Sequence, residues 1–448
     1  MKTIQITPGA GGGYYCENCL RDAGLVRTLR RRGHEALMVP LYLPPVAEGP
    51  SPADEVPIFF GGINVYLGHK SALWRCLPRW MTRWLNARPL LAWAARRADM
   101  TRTADLGPMT LSMLRGEHGR QQRELEHLAG WLKARGRPDA ILLSNALLLG
   151  MARRLKADLA APVLCILQDE DGFLDGLPEP SRTQAWNLLA ERAADADAFL
   201  PVSRYYAGVM QRRLGLPHDR VHVVYPGVEA EAYAPAPVPP AQPTIGYLGQ
   251  QNLASGVDRL VDAYLTIRDR GRVPGVQLRI AGGRTPGDEP LAQALADRVR
   301  HAGAEADVHW LPIPDRDAKR RLLQSLSVLS VPVRQGLASA LYVLEAGASA
   351  VPVVEPRAGA LEELVEATGG GILVDPDNPA ALADALEKLL LDTDRARALG
   401  RAAREVVLAD FTIERTADRV LELMGLLHGN VPAQPSGVPG TAGMENRA

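Results

Sequence analysis

A surplus of either charge is missing: lysine plus arginine and aspartate plus glutamate each number 51 in 448 residues. No net field therefore draws the chain to nucleic acid or to an anionic membrane. Two local basic clusters remain, at Arg27, Arg30, Arg31 and Arg32 and at Trp74, Arg75, Arg79, Trp80, Arg83 and Trp84. Runs of this kind are most often solvated helix faces; contact with a lipid-linked acceptor is the sharper reading. Cysteine is scarce, and four in a chain of this length exclude a disulfide framework. Long apolar runs are missing too: stretches such as residues 140–152 are too short or too interrupted to cross a bilayer. The segment MKTIQITPGAG enters a strand directly and lacks a signal-peptide pattern, so the expected compartment is cytoplasmic, with peripheral contact at the inner membrane surface left open. No internal period of about 20–50 residues recurs, which sets repeat architectures aside.

What is present is an alternation of short apolar runs, bounded by Gly, Pro or Asp, with longer amphipathic segments. That alternation predicts parallel βαβ units. Strands are expected at residues 3–7, 35–40, 140–144, 162–167 and 198–202, with helices between them; residues 19–32 read as a helix stopped by Gly33. Residues 229–243, EAEAYAPAPVPPAQP, carry neither periodicity and read as an extended linker. The alternation then restarts, with strands at residues 244–248, 277–281, 308–311, 328–332, 351–354 and 372–374. The chain exceeds the size at which one core keeps growing. The expected class is therefore α/β, with doubly wound domains at residues 1–228 and 244–410, a helix at 411–429 returning to the first domain, and a Pro- and Gly-rich tail at 430–448.

Between the first strand and first helix stands Pro8-Gly9-Ala10-Gly11-Gly12-Gly13, where backbone N–H groups can approach an anion closely. It is not a dinucleotide fingerprint, because Tyr14 occupies the third glycine position. A structural tight turn and a ligand loop are equally served by it. Cys16 and Cys19 form one C-x-x-C pair; without a second pair or a nearby His pair, two packed thiols are expected and no metal site.

GGGYYCENCL, RRRGHEALMV, SRYYAGVM and LYVLEAGASAVPVVEPRAGALEELVEATGGGILV together resemble family 4 glycosyltransferases of the GT-B fold, over residues 1–429. The resemblance implies two facing Rossmann-like domains around a cleft, the first for the acceptor and the second for a nucleotide sugar. It also implies retaining transfer of a hexosyl group to a hydroxyl acceptor, such as a glycan or lipid-linked sugar, from a UDP- or GDP-sugar, with no cofactor and no metal.

The resemblance also exposes departures. A diphosphate leaving group held without metal needs compensating cations. The family pattern G-x-L-x-R-x-x-x-x-K-G is matched by residues 246–256, with Gln250 at the arginine and Ser255 at the lysine. Of the family's two glutamates, Glu345 matches the one on the ribose hydroxyls, beside Leu341 and Tyr342, while Leu337 stands at the other; Ser339 and Ala340 replace the usual Phe and Gly. Gln168 occupies the position of a histidine that contacts the donor sugar or acceptor. Two cationic contacts at about 1.5–3 kcal/mol each amount to roughly 3–6 kcal/mol, or about two to four decades of affinity. Gly11, Gly12, Gly13, Leu341, Tyr342 and Glu345 would remain as donor-binding positions, and Arg284 and Arg334, after two strands, are candidate substitute cations; the alternative for each is a solvated loop arginine. Asp169, Glu170 and Asp171 offer a general base or an acceptor-site lining, against a solvated turn. Two functions stay open: glycosyl transfer, or a catalytically impaired homologue that binds a glycan, a nucleotide or an active paralogous transferase.

Overall fold

The structure is a computed structural model and describes residues 1–9, 17–42, 56–60, 103–376 and 378–427. The glycine loop Gly11–Gly13, Cys16, the tryptophan-rich basic cluster and the tail lie outside the described residues.

The first domain runs β1 (Lys2–Thr7), α1 (Glu17–Arg31), β2 (Glu35–Pro40), α2 (Thr103–Leu114), α3 (Gln122–Lys133), β3 (Ala140–Leu143), α4 (Ala152–Leu159), β4 (Val163–Leu167), α5 (Glu170–Asp175), α6 (Ser181–Arg192), β5 (Ala198–Pro201) and α7 (Arg204–Leu214). Its five strands are all parallel, in the order β2-β1-β3-β4-β5. Every residue of β3, β4 and β5 is buried, because helices cover both faces of a parallel sheet. That is why these strands read as unbroken apolar runs. Helix α1 ends as expected: Gly33 takes φ +80°, and the Gly33 and His34 amides return to the Arg30 and Leu29 carbonyls at 2.9 and 3.0 Å.

The second domain runs β6 (Thr244–Leu248), α8 (Val257–Arg270), β7 (Gln277–Ala281), α9 (Glu289–His301), β8 (Val308–Leu311), α10 (Arg316–Gln324), β9 (Val328–Leu329), α11 (Leu341–Ala348), β10 (Val353–Pro356), α12 (Ala360–Thr368), β11 (Gly371–Val374), α13 (Pro379–Leu391) and α14 (Thr393–Asp410). Its six parallel strands are ordered β11-β10-β9-β6-β7-β8. Two strands differ from expectation for a physical reason. β9 stops at Leu329 because the Val331 amide is drawn to the Glu355 carboxyl at 3.1 Å and Pro332 has no N–H to give. β10 begins at Val353 because the Val351 amide still closes α11, donating to Ala346 at 2.9 Å.

The chain passes between domains twice, and the crossings touch. Val228 donates to Phe411 and accepts from Ile413, each at 2.9 Å, and a Cβ on Gly227 would lie 2.2 Å from the Thr412 carbonyl oxygen. The final helix α15 (Ile413–Leu427) lies against α1 of the first domain. The basic cluster on α1 serves these junctions: Arg31 pairs with Glu414 at 3.0 Å, Arg32 with Asp418, and Arg27 with Glu229 at 2.6 Å. The segment read as an extended linker is anchored at its start. Ala230–Ala232 form a single 3-10 turn, and Tyr233 is buried in the core of the second domain.

Candidate active site

In open parallel sheets, ligands bind beyond the carboxyl ends of the strands. A cavity of about 310 Å3 lies there, lined by Leu248, Gly249, Gln250 and Ser255 after β6, by Gly282, Gly283, Arg284 and Thr285 after β7, and by Ile313 and Pro314 after β8. Val331, Val333, Leu337 and Ser339 after β9 continue the wall, which ends on Leu341, Tyr342 and Glu345 of α11; Asp169 of the first domain closes it. Two loops here are pressed backbone against backbone. A Cβ on Gly282 (φ +145°) would fall 1.8 Å from the Gly249 carbonyl oxygen, and one on Gly256 (φ +73°) 1.8 Å from that of Pro332, so only glycine fits either position.

Gln250, Ser255 and Leu337 thus line one cavity, together with Glu345. Their loop is stapled from beneath: the Tyr247 hydroxyl donates to the Gln250 carbonyl at 2.5 Å and lies 3.4 Å from that of Ser255. The two candidate cations part company. Arg284 lines the cavity, its guanidinium 3.4 Å from the exposed Glu289. Arg334 is not part of the lining; its Nη1 and Nη2 donate to the two Asp258 oxygens at 2.8 and 2.6 Å, with a further bond to Leu253. A guanidinium held bidentately by a carboxylate is spent.

Glu345 is 5% exposed, and its Oε1 accepts from the Tyr233 hydroxyl and from Lys319 Nζ, each at 2.7 Å. Lys319, 6% exposed, neutralises it from α10. Both partners escape the sequence reading. One signal for Lys319 was available: it shares the buried face of α10 with Leu322 and Leu323, at the i+3 and i+4 spacing of one helical face.

Beneath the wall, Glu355 at the end of β10 is fully buried; it accepts from the Val331 amide at 3.1 Å and contacts the Tyr342 hydroxyl at 3.1 Å. Burial pushes its carboxyl well above the usual range, against the bonds from the Val331 amide and the Tyr342 hydroxyl.

The acidic run of the first domain is divided: Asp169 is exposed, Asp171 half-buried and Glu170 buried. Glu170 accepts from the Ala146 amide at 2.8 Å and the Tyr206 hydroxyl at 2.7 Å, and burial raises its carboxyl. The same hydroxyl lies 3.0 Å from Asp171. Only Asp169 of the three reaches the cavity. It holds φ +58°, a left-handed conformation that Asp tolerates better than most residues. Water reaches it through the cleft, yet protein packs its other sides; that burial raises its carboxyl to about 6, against the bond from the Ala338 amide. Gln168, behind it, is buried and accepts a bond from the Arg21 guanidinium, which also pairs with Asp22 at 2.8 Å. Gln168 therefore lies in a first-domain polar network and does not line the cavity.

Among the described residues no cluster of His, Cys, Asp or Glu could hold a metal ion, and no helix is long and apolar enough to cross a membrane. Cys19 is buried, its sulfur 3.8 Å from the Thr7 hydroxyl.

Two parallel-sheet Rossmann-like domains with a cavity at the strand ends, closed from the partner domain, define the GT-B class of architecture. Residues 23–232 match the model of glycosyltransferase family 4, and residues 230–406 that of glycosyl transferases group 1. The chain belongs to the family 4 glycosyltransferases. It is 31% identical over 266 residues to a GDP-mannose-dependent alpha-(1-6)-phosphatidylinositol monomannoside mannosyltransferase of Mycobacterium tuberculosis, covering 54% of this chain and 64% of that one. To a D-inositol 3-phosphate glycosyltransferase of Corynebacterium urealyticum it is 27% identical over 232 residues, covering 49% and 53%. The matched part thus spans between half and two thirds of these relatives' length. Among solved structures, sucrose-phosphate synthase from Thermosynechococcus elongatus superposes with a TM-score of 0.67 at 17% identity, over 96% of this chain and 100% of that one. Anabaena HepE, solved in complex with UDP, superposes with a TM-score of 0.65 at 15% identity, over 95% and 100%. At such identities the likeness is one of fold.

Proposed function

We propose that this protein transfers a hexosyl group from a nucleoside-diphosphate sugar to a hydroxyl acceptor, with retention at the anomeric carbon and without a metal. One observation carries the reading: the cavity at the strand ends joins Glu345, a carboxylate for ribose hydroxyls, to the cation Arg284. Arg284 takes the role of the absent cations, supplying charge to the diphosphate as the glycosidic bond breaks. Asp169 and the first domain face the acceptor side, where a glycan or lipid-linked hydroxyl would enter. The donor would be a UDP- or GDP-sugar; the relatives whose names specify a GDP-mannose donor or an inositol phosphate acceptor set the first panel to try.

A second reading is favoured by a specific observation. Gln250, Ser255 and Leu337 all line the cavity, so the substitutions fall within the site itself. In that reading the chain is a catalytically impaired homologue that recognises a nucleotide or glycan, or pairs with an active paralogous transferase. Turnover of purified protein against a panel of nucleotide sugars and acceptors, with calorimetry on the same preparation, separates the two. Consumption of a donor that Arg284→Ala abolishes supports transfer. Weak or absent diphosphate binding without turnover supports the impaired homologue, and micromolar affinity counts against it. A folded protein that neither binds nor turns over any donor removes the nucleotide reading.

A further inference from the structure

We infer that Tyr233 and Lys319 are positioning residues that present the Glu345 carboxylate to a sugar hydroxyl of the bound ligand and link that contact to the connection between the domains. The inference rests on the nucleotide reading above and names how its ribose is recognised.

Glu345 lines the cavity, yet both of its side-chain partners bond one oxygen: the Tyr233 hydroxyl and Lys319 Nζ each donate to Oε1 at 2.7 Å. Among the described residues neither oxygen has another side-chain partner, so Oε2 is the acceptor left for a ligand. Two donors on one oxygen fix the carboxylate's rotation, which a single contact would leave free. Lys319 has a second effect. Without it the wall would carry an uncompensated negative charge beside the place a diphosphate must occupy.

The holders are themselves tied to the hinge. Lys319 lies one helical turn after Arg316, whose Nη2 donates to Glu229 Oε2 at 2.5 Å. Glu229 Oε1 accepts from Arg27 of the first domain at 2.6 Å, and Tyr233 follows Glu229 by four residues on the same connecting segment. Helix α10 and the connecting segment are thus joined twice, once at the domain crossing and once at the cavity. Movement of the first domain that pulls on Arg27 bears on the two residues that orient Glu345.

The test is hydroxyl discrimination. Calorimetry would give dissociation constants of uridine and guanosine diphosphate and of their deoxyribose counterparts for wild type, Tyr233→Phe, Lys319→Met and Lys319→Arg. A site built to bond a hydroxyl rejects the analogue that lacks it. Wild type should therefore prefer the ribose form by about tenfold or more. Tyr233→Phe and Lys319→Met should move that preference toward one, and Lys319→Arg should restore part of it. A merely structural role would lower the melting temperature and leave the preference intact, and that result overturns the inference while sparing the nucleotide reading. If Lys319→Met fails to fold, Tyr233→Phe decides alone, since it keeps the ion pair. Failure of wild type to bind either ribonucleotide overturns the nucleotide reading and this inference together.

Discussion

The Asp169 carboxylate and the Ala338 amide meet across the cleft at 3.3 Å, and the Ser203 hydroxyl donates to the Ala338 carbonyl at 2.7 Å. The backbone of the residue beside Leu337 is thus gripped by the first domain on both sides. Arg204 extends the grip, its amide donating to Glu363 of α12 at 3.0 Å. The first domain therefore docks on the edge of the strand-end cavity at Leu337, the position of a glutamate in the family pattern.

This contact titrates. Burial raises the Asp169 carboxyl to about 6; the Ala338 amide, Gln168 and Arg21 oppose the rise and Asp171 adds to it. Because the folded pKa exceeds the ordinary 3.8, the folded state keeps a proton that the unfolded chain has released. This group's contribution to stability consequently falls as pH rises from the ordinary value to about 6 and is flat above. Water access through the cleft keeps the effect small. Above that pH a negative charge also faces the cavity in which a diphosphate is proposed to bind. Affinity for a nucleoside diphosphate should fall as pH rises through about 6, and Asp169→Asn should flatten the profile. Calorimetric titrations of both proteins across that range check it, and parallel profiles would remove Asp169 from the site.

Restoring charge is the second prediction. Tyr247 holds the 250–255 loop by its carbonyls, so new side chains there need not disturb the backbone. Gln250→Arg with Ser255→Lys should tighten nucleoside diphosphate binding by about tenfold or more for each cation that reaches the phosphates. Adding Leu337→Glu tests the sugar end separately, through donor hydrolysis or transfer. No gain in affinity from the double variant would mean that the cavity no longer accepts the diphosphate.

The fold was legible because parallel strands buried on both faces leave apolar runs bounded by Gly, Pro or Asp, as at β3 and β4. The departures at Gln250, Ser255 and Leu337 were legible because their flanks match a pattern in linear order. Tyr233 was not: it sits in a Pro- and Ala-rich stretch with no periodicity, and its partner Glu345 is 112 residues away. Glu355 was hidden as the one acidic residue inside the apolar run VPVVEP, where only the fold reveals that no cation pairs with it among the described residues. Arg334 misled for the opposite reason. Its place after a strand marked it for the cleft, but Asp258, on the first turn of α8, captured it.

Glu355 gives a third prediction. Burial holds its carboxyl well above the ordinary 4.5 with the Val331 amide and Tyr342 hydroxyl opposing, and its charge acts in turn on Tyr247. A neutral acid resembles an amide in size and in its ability to donate and accept. Glu355→Gln should therefore cost less than about 1 kcal/mol near neutral pH. It should also remove a loss of stability that the wild type shows as pH rises above the ordinary carboxylate range, where the unfolded chain ionises first. Urea unfolding of both proteins at mildly acidic and mildly alkaline pH reads the difference. A wild type whose stability does not fall relative to the glutamine variant would show that the acid is already ionised.

Glu229 makes the opposite pH prediction. Half-burial works upward on its carboxyl, but the Arg27 and Arg316 guanidiniums outweigh it and hold the pKa below 4.5. A depressed folded pKa means that the two ion pairs stabilise fully above the ordinary carboxylate value and are lost as pH falls through the folded one. The pairs are partly exposed, at 24% for the Glu229 side chain and 42% and 47% for the arginines, so each is worth no more than about 1 kcal/mol. Glu229→Gln should destabilise by about that amount at neutral pH, and the gap from wild type should close in acid. Raising salt should narrow it as well, since exposed pairs are screened. Because Glu229 joins α1 to α10 at the domain crossing, the variant should also broaden the spread of interdomain distances, measured between spin labels at the exposed positions of Arg212→Cys and Asp269→Cys. An unchanged distance distribution beside a lowered stability would assign Glu229 to local packing and leave the control of domain motion to the other contacts between the domains, among them the Val228–Phe411 and Val228–Ile413 backbone bonds and the grip of Asp169 and Ser203 on Ala338.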